Sequence, residues 1–206
     1  PGGVFRGRHC ESTELGKAVL AACKKTPTPG ATSLEAAGWG VYEDDWIRIS
    51  YPPNSEVMGA DTGKQDPNNP MFAVIPPTAI PNTSQGGLAI QLDTKTKGML
   101  LRDALRSEIQ EETNKGGILL SGPKDYKVLN GRCLGAVIIS AGDLCNNEQG
   151  TCYTPVYTGQ CDDAAGRRIR AFSVLSRSHS KNALGPEAQR EAATYERIMN
   201  TLEFKK

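Results

Sequence analysis

The sequence predicts an α+β protein: an antiparallel sheet of about six strands flanked by helices, plus an N-terminal helical arm. Three observations predict it. Short runs of alternating apolar and polar residues recur along the chain, separated by Gly- and Pro-rich connections. Two stretches of helical apolar periodicity interrupt them, near residues 99–112 and 186–202. A third, near 9–25, precedes the first strand-like run and is separated from it by a linker. This divides the chain into an arm and linker over 1–38 and a body over 39–206, with a cysteine-bearing insert at 141–166.

In the arm, Leu15, Ala18, Val19, Ala22 and Cys23 follow one helical face. Ser12 or Thr13 suits the cap, Glu11 and Glu14 sit at the positive end, and Lys24 and Lys25 at the negative end. Pro27 and Pro29 stop the helix. A helix from Ser12 to Cys23 separates its ends by about 16 Å at about 1.5 Å per residue. A disulfide needs Cα atoms within about 7 Å. Cys10 and Cys23 are therefore not expected to pair with each other; each would staple the arm to the body.

The body opens with Trp39–Tyr42 and Trp46–Tyr51, a hairpin or two short strands, ended by Pro52-Pro53. Met71–Ile75 and Gly87–Leu92 read as further strands. The helix over about Met99–Glu112 carries its apolar stripe on Leu101, Leu105 and Ile109. Glu108, Glu111 and Glu112 near its end are read as exposed helix carboxylates rather than an acid–base pair. Ile118–Leu120 reads as a short buried strand. Tyr126–Ser140 reads as two strand pieces about an Asn130-Gly131 turn, and Arg132–Ser140 is apolar enough to be central.

The polar insert 141–166 holds Cys145, Cys152 and Cys161, with Tyr153–Tyr157 as a small edge strand. Arg168–Leu175 is expected to return antiparallel to Leu134–Ser140. After a polar turn, Ser176–Asn182, Pro186 opens the last helix. Ala188, Ala192, Tyr195, Met199 and Leu202 form its buried face, and Phe204 closes the core.

Composition narrows the function classes. The chain has 206 residues, 38% hydrophobic and 23% charged, enough for one good core. Lys+Arg 24 against Asp+Glu 23 gives net charge +1, so nucleic acid is not an expected partner. The densest basic cluster, Arg167, Arg168 and Arg170, reads as the solvated face of a strand. No apolar run approaches the roughly 20 residues needed to span a bilayer. An integral membrane protein is not expected, whereas peripheral association with a membrane stays compatible. No signal peptide is visible, and the start Pro1-Gly2-Gly3 fits a processed form as well as one carrying an expression remnant.

Six cysteines without C-x-x-C or zinc spacing point to disulfides in an oxidising compartment. All six, Cys10, Cys23, Cys133, Cys145, Cys152 and Cys161, are candidates, with their pairing open. The expected location is extracytoplasmic: periplasmic, secreted or thylakoid lumen. Asn82-Thr83-Ser84 is a glycosylation sequon if the source is eukaryotic and secretory.

Four pieces, in order, resemble the PsbP-like family, which includes DcrB-type lipoproteins. They are Trp46-Ile47-Arg48-Ile49-Ser50-Tyr51-Pro52; the helix Leu100–Glu112 after the Gly87–Leu92 strand; Leu129-Asn130-Gly131-Arg132; and the closing Ile198-Met199-Asn200-Thr201-Leu202-Glu203-Phe204. The last departs from the family's "Ile-x-x-Ser-Phe-x-Phe", with Thr201 and Leu202 in place of Ser and Phe. The resemblance implies an antiparallel sheet of about six strands with helices on both sides, and no enzyme activity. The arm and the insert lie outside it.

The expectation is a non-catalytic extracytoplasmic domain that docks onto a partner protein or a larger assembly, membrane and photosynthetic assemblies among them. Its contact surface is expected on the insert, at Cys145, Cys152, Cys161, Arg167 and Arg168. No cofactor motif and no metal-binding spacing is present. One alternative is a small-molecule or calcium binder using the oxygen-rich loop Asp61–Asn69, whose spacing departs from the EF-hand. A second is a hydrolase using Ser178 and His179, since Ser178-x-x-Lys181 has the spacing of some acyl transferases.

Overall fold

The computed structural model describes residues 38–59, 72–77, 87–140, 145–147 and 150–205, all within the unit Gly38–Lys206. The expected arm helix, Cys10 and Cys23, the Asp61–Asn69 loop and the sequon lie outside the described residues.

The described elements run β1 (Gly40–Glu43), β2 (Ile47–Tyr51), β3 (Glu56–Gly59), β4 (Phe72–Ile75), β5 (Leu88–Leu92), α1 (Leu101–Asn114), β6 (Ile118–Tyr126), β7 (Gly131–Ile139), β8 (Cys145–Asn147), β9 (Gly150–Cys152), β10 (Pro155–Asp163), β11 (Arg168–Val174), α2 (Pro186–Met199) and β12 (Glu203–Phe204). The fold is mixed α+β and mostly sheet. Seven strands form one sheet in the order β3-β4-β5-β11-β10-β7-β6, three form a second in the order β1-β2-β12, and β8-β9 is a separate two-stranded ladder. Every pairing in the large sheet is antiparallel.

The β1–β2 hairpin is fixed by Asp44, whose Oδ1 accepts the backbone N–H groups of Trp46 (2.7 Å) and Ile47 (2.8 Å). Alternation on β2 then buries Ile47 and Ile49 completely. The chain terminus returns to the same strand: β12 pairs β2, and Thr201 Oγ1 accepts the Ser50 N–H at 2.8 Å. Phe204 is thereby buried, as its place after the helix predicts.

Alternation on β7 separates two cores. Cys133 and Val137 join the main cluster with Tyr157, Ala188, Tyr195, Ile198 and Met199. Leu134 and Ala136 point the other way and pack with Leu101, Leu105 and Ile109 of α1. The two helices thus cover opposite faces of the large sheet, and the predicted apolar stripes of both are the ones that pack.

Three expectations need correction. First, most of the second half of the expected insert is β10, a nine-residue central strand lying between β11 and β7. Arg168–Leu175 therefore pairs with β10 and β5, not with Leu134–Ser140. Second, Ile118–Leu120 begins a nine-residue edge strand, largely exposed, with Leu119 facing outward. Register shifts between Leu119 and Lys124, around Pro123, blunt that edge against further pairing. Third, Glu56–Gly59 forms β3, a strand not expected from the sequence.

Cys133 and Cys161 are directly opposite in the β7–β10 register and are disulfide-bonded, with Cα atoms 4.1 Å apart. Cys152 is also disulfide-bonded, and the β8–β9 register sets Cys145 opposite it. These bonds fit an oxidising, extracytoplasmic compartment. With Cys133 and Cys161 bonded to each other, neither is free to staple the arm.

Candidate functional site

Two polar clusters lie on the α1 face of the sheet. The first is built around Arg168 on β11. Its cross-strand neighbour on β10 is Asp162, and the two make a bidentate pair, Nε to Oδ1 at 2.6 Å and Nη2 to Oδ2 at 2.8 Å. Planar guanidinium and carboxylate match in this fork geometry. The remaining donors point into the connection before α1. Nη1 donates to the Thr96 carbonyl at 2.7 Å and to its hydroxyl at 3.1 Å, and Nη2 donates to the Met99 carbonyl at 2.8 Å. Asp162 raises the pKa of this guanidinium further above its usual value.

Asp93 holds the same connection from its other end. Its Oδ1 accepts the N–H groups of Lys95 (2.8 Å) and Thr96 (3.2 Å), and its Oδ2 accepts the Thr96 hydroxyl at 2.8 Å. Burial pushes the Asp93 carboxyl up, but bonds from Thr96, Gln160 and Lys95 outweigh it and hold the group below the usual carboxylate range. A turn closes where Met99 N–H donates to Thr96 O at 3.0 Å. Gly98 sits third in that turn at φ 85°, a conformation that favours glycine. The loop backbone is thus hydrogen-bonded from both sides, and Met99 and Leu100 after its turn are 40% and 74% exposed.

The second cluster lies beneath α1. Glu108 pairs with Arg170 Nη2 through Oε1 and accepts Gln160 Nε2 at 3.3 Å through Oε2. Arg170 also lies over the Phe172 ring at 5.3 Å. Among the described residues, Thr158 Oγ1, Gln160 Oε1 and Arg170 Nε find no hydrogen-bond partner. The cluster ties α1 to β10 and β11. Glu108 is therefore a helix anchor rather than the exposed carboxylate expected.

The residues expected to form a contact surface are placed otherwise. Cys161 and Cys152 are buried at 0% and 1% exposure. Arg168 is buried by its bonds to Asp162 and the loop. Arg167 is half-buried, paired with Asp163, donating to Lys205 O at 2.8 Å and stacked over Trp46 at 4.9 Å. The basic cluster is thus no solvated strand face: each arginine meets its own carboxylate, Asp163, Asp162 or Glu108. Cys145 lies on β8, in a ladder separate from the sheet that carries the arginines.

Ser178 is 2% exposed. Its hydroxyl donates to Ala183 O at 2.7 Å and accepts the Ser180 N–H at 3.2 Å, bracing the loop before α2. His179 beside it is exposed. This gives the serine a structural partner in place of a general base. Among the described residues no group of three or more His, Cys, Asp or Glu is placed to hold a metal. No helix among them is long and apolar enough to cross a membrane.

Compared with known proteins, the chain matches no family model and no curated protein.

Sequence reasoning missed the pinned loop. Its signal was Asp93-Thr94-Lys95-Thr96 running into Gly98, a turn chemistry that precedes two apolar residues outside the predicted stripe.

Proposed function

We propose that this is a non-catalytic extracytoplasmic domain that docks onto a larger assembly, in the manner implied by its resemblance to the PsbP-like family. The contact element is the connection between β5 and α1. The observation that supports this is the exposure of Leu100 on a backbone held from both sides by Arg168 and Asp93. An apolar tip that is already ordered loses little conformational entropy when it is covered. The buried disulfide Cys133–Cys161 supports the compartment.

The test is fractionation. Purified domain with intact disulfides is mixed with membranes and extract of the source organism and then sedimented. Co-migration with a larger species is expected. Recovery solely as a free monomer overturns the reading.

A further inference from the structure

We propose that the surface on which this loop docks is an anionic lipid headgroup layer, a step that rests on the docking reading above. Thr94–Arg102 contains three cations, Lys95, Lys97 and Arg102, and no carboxylate. All three cations are exposed and have no ion-pair partner among the described residues. On α1, Asp103 pairs with Arg106 at 3.3 Å, and Glu111 pairs at 2.8 Å with Lys115, which Glu112 shares at 3.6 Å; Glu111 also feels the charge of Lys95, without a contact pair. Asp93 spends its oxygens on the loop backbone and Thr96. The net result is an exposed Met99-Leu100 pair flanked by three cations that make no contact ion pair among the described residues.

That combination fits a lipid interface better than a protein one. Protein interfaces bury about 800 Å² per partner and are depleted in lysine. Here two exposed apolar side chains, Met99 and Leu100, follow two exposed lysines in the chain. Interfacial membrane binding uses just these parts: a small apolar insertion plus cations that remain at headgroup level. Each cation near an anionic surface contributes about a fivefold gain in partitioning. Three cations and two apolar side chains give reversible binding that weakens as salt shortens the Debye length, about 8 Å at physiological ionic strength. Arg168 tethers the loop backbone to the sheet through the Thr96 and Met99 carbonyls.

Vesicle co-sedimentation of the full chain, disulfides intact, tests this. Vesicles of phosphatidylcholine alone are compared with an equimolar mixture of phosphatidylcholine and phosphatidylglycerol. Binding is expected to the mixture, to be weak on phosphatidylcholine, and to be released by high salt. Leu100→Asp, and separately the double change Lys95→Glu with Lys97→Glu, should each weaken binding at least about tenfold without lowering the melting temperature, since Leu100 is the N-cap of α1, where Asp favours the helix. Arg190→Glu, an exposed change on α2, is the control and should leave binding unchanged. No binding to the mixture, equal binding to both vesicles, or unaltered binding by Leu100→Asp overturns the proposal. If vesicles fail while the domain still sediments with source membranes and extract, the docking reading stands and its partner is protein. If both fail, the docking reading falls with it.

Discussion

Arg168 and Asp162 face one another across β11 and β10, yet their bidentate pair does more than join two strands. The same guanidinium reaches two carbonyls of the loop before α1, at 2.7 and 2.8 Å. A planar group with five donors can hold a strand and a loop at once; an ammonium cannot. Arg168→Ala should destabilise the domain by about 3 kcal/mol, because Asp162 loses its partner in a largely buried setting. Arg168→Lys should restore the charge but not the loop. Amide exchange read on the 94–100 peptide should rise in both variants. Unchanged exchange in Arg168→Lys would show that the loop does not depend on the fork.

Thr158 offers the opposite sign. It is fully buried on β10, and its Oγ1 has no hydrogen-bond partner among the described residues. An unsatisfied buried hydroxyl costs free energy, whereas a methyl of the same shape does not. Thr158→Val should therefore raise stability by about 1 kcal/mol. A urea midpoint that falls in this variant would mean that the hydroxyl is bonded after all.

These two positions also explain how far the fold was legible. The helices could be read because each presents one apolar stripe to one core: Leu101, Leu105 and Ile109 on α1, and Ala188, Ala192, Tyr195 and Met199 on α2. β2 and β5 could be read for the same reason. β10 could not, because its α1 face is Thr158, Gln160 and Asp162. That face is polar rather than apolar, so a central strand reads as a polar insert. The partners that make those residues tolerable, Glu108 at 52 residues and Arg168 at 6, appear only once the sheet is assembled. The basic cluster misled in the same way: a paired arginine and a solvated one look alike in sequence.

Stability should decline in both acid and alkali, for separate reasons. Asp93 and Asp163 are held below their ordinary value of 3.8; burial raises each, but their hydrogen bonds, chiefly from Thr96 and Arg167, outweigh it. A depressed folded pKa contributes stability that is present above 3.8 and is lost as pH falls below it, through the folded value. On the alkaline side, burial pushes Tyr126 and Tyr195 up to about 12 and Tyr157 well above 10. Raised values contribute stability that is present below 10 and is lost as pH climbs through about 12. Urea midpoints across pH should be level between these limits. Asp163→Asn should lower the plateau and flatten the acid limb; an acid limb as steep as that of the parent would remove Asp163 from the account.

The disulfide Cys133–Cys161 closes a loop of 28 residues in sequence, between strands that are already neighbours. Loop-closure entropy for that length corresponds to about 3 to 4 kcal/mol of stabilisation. Cys133→Ala with Cys161→Ala should lower stability by about that amount. Both sulfurs are buried, in residues at 1% and 0% exposure. Thiol reagents should therefore reach them only after reduction in denaturant, not in the native state. A non-reducing peptide map should join the peptides of Cys133 and Cys161 and show a second bond at Cys152, whose neighbour in the β8–β9 register is Cys145. A bond from the arm to Cys152 would instead restore the staple that the arm helix geometry favours. A map in which Cys133 or Cys161 pairs elsewhere would overturn the β7–β10 register, and with it the placement of β10 at the centre of the sheet.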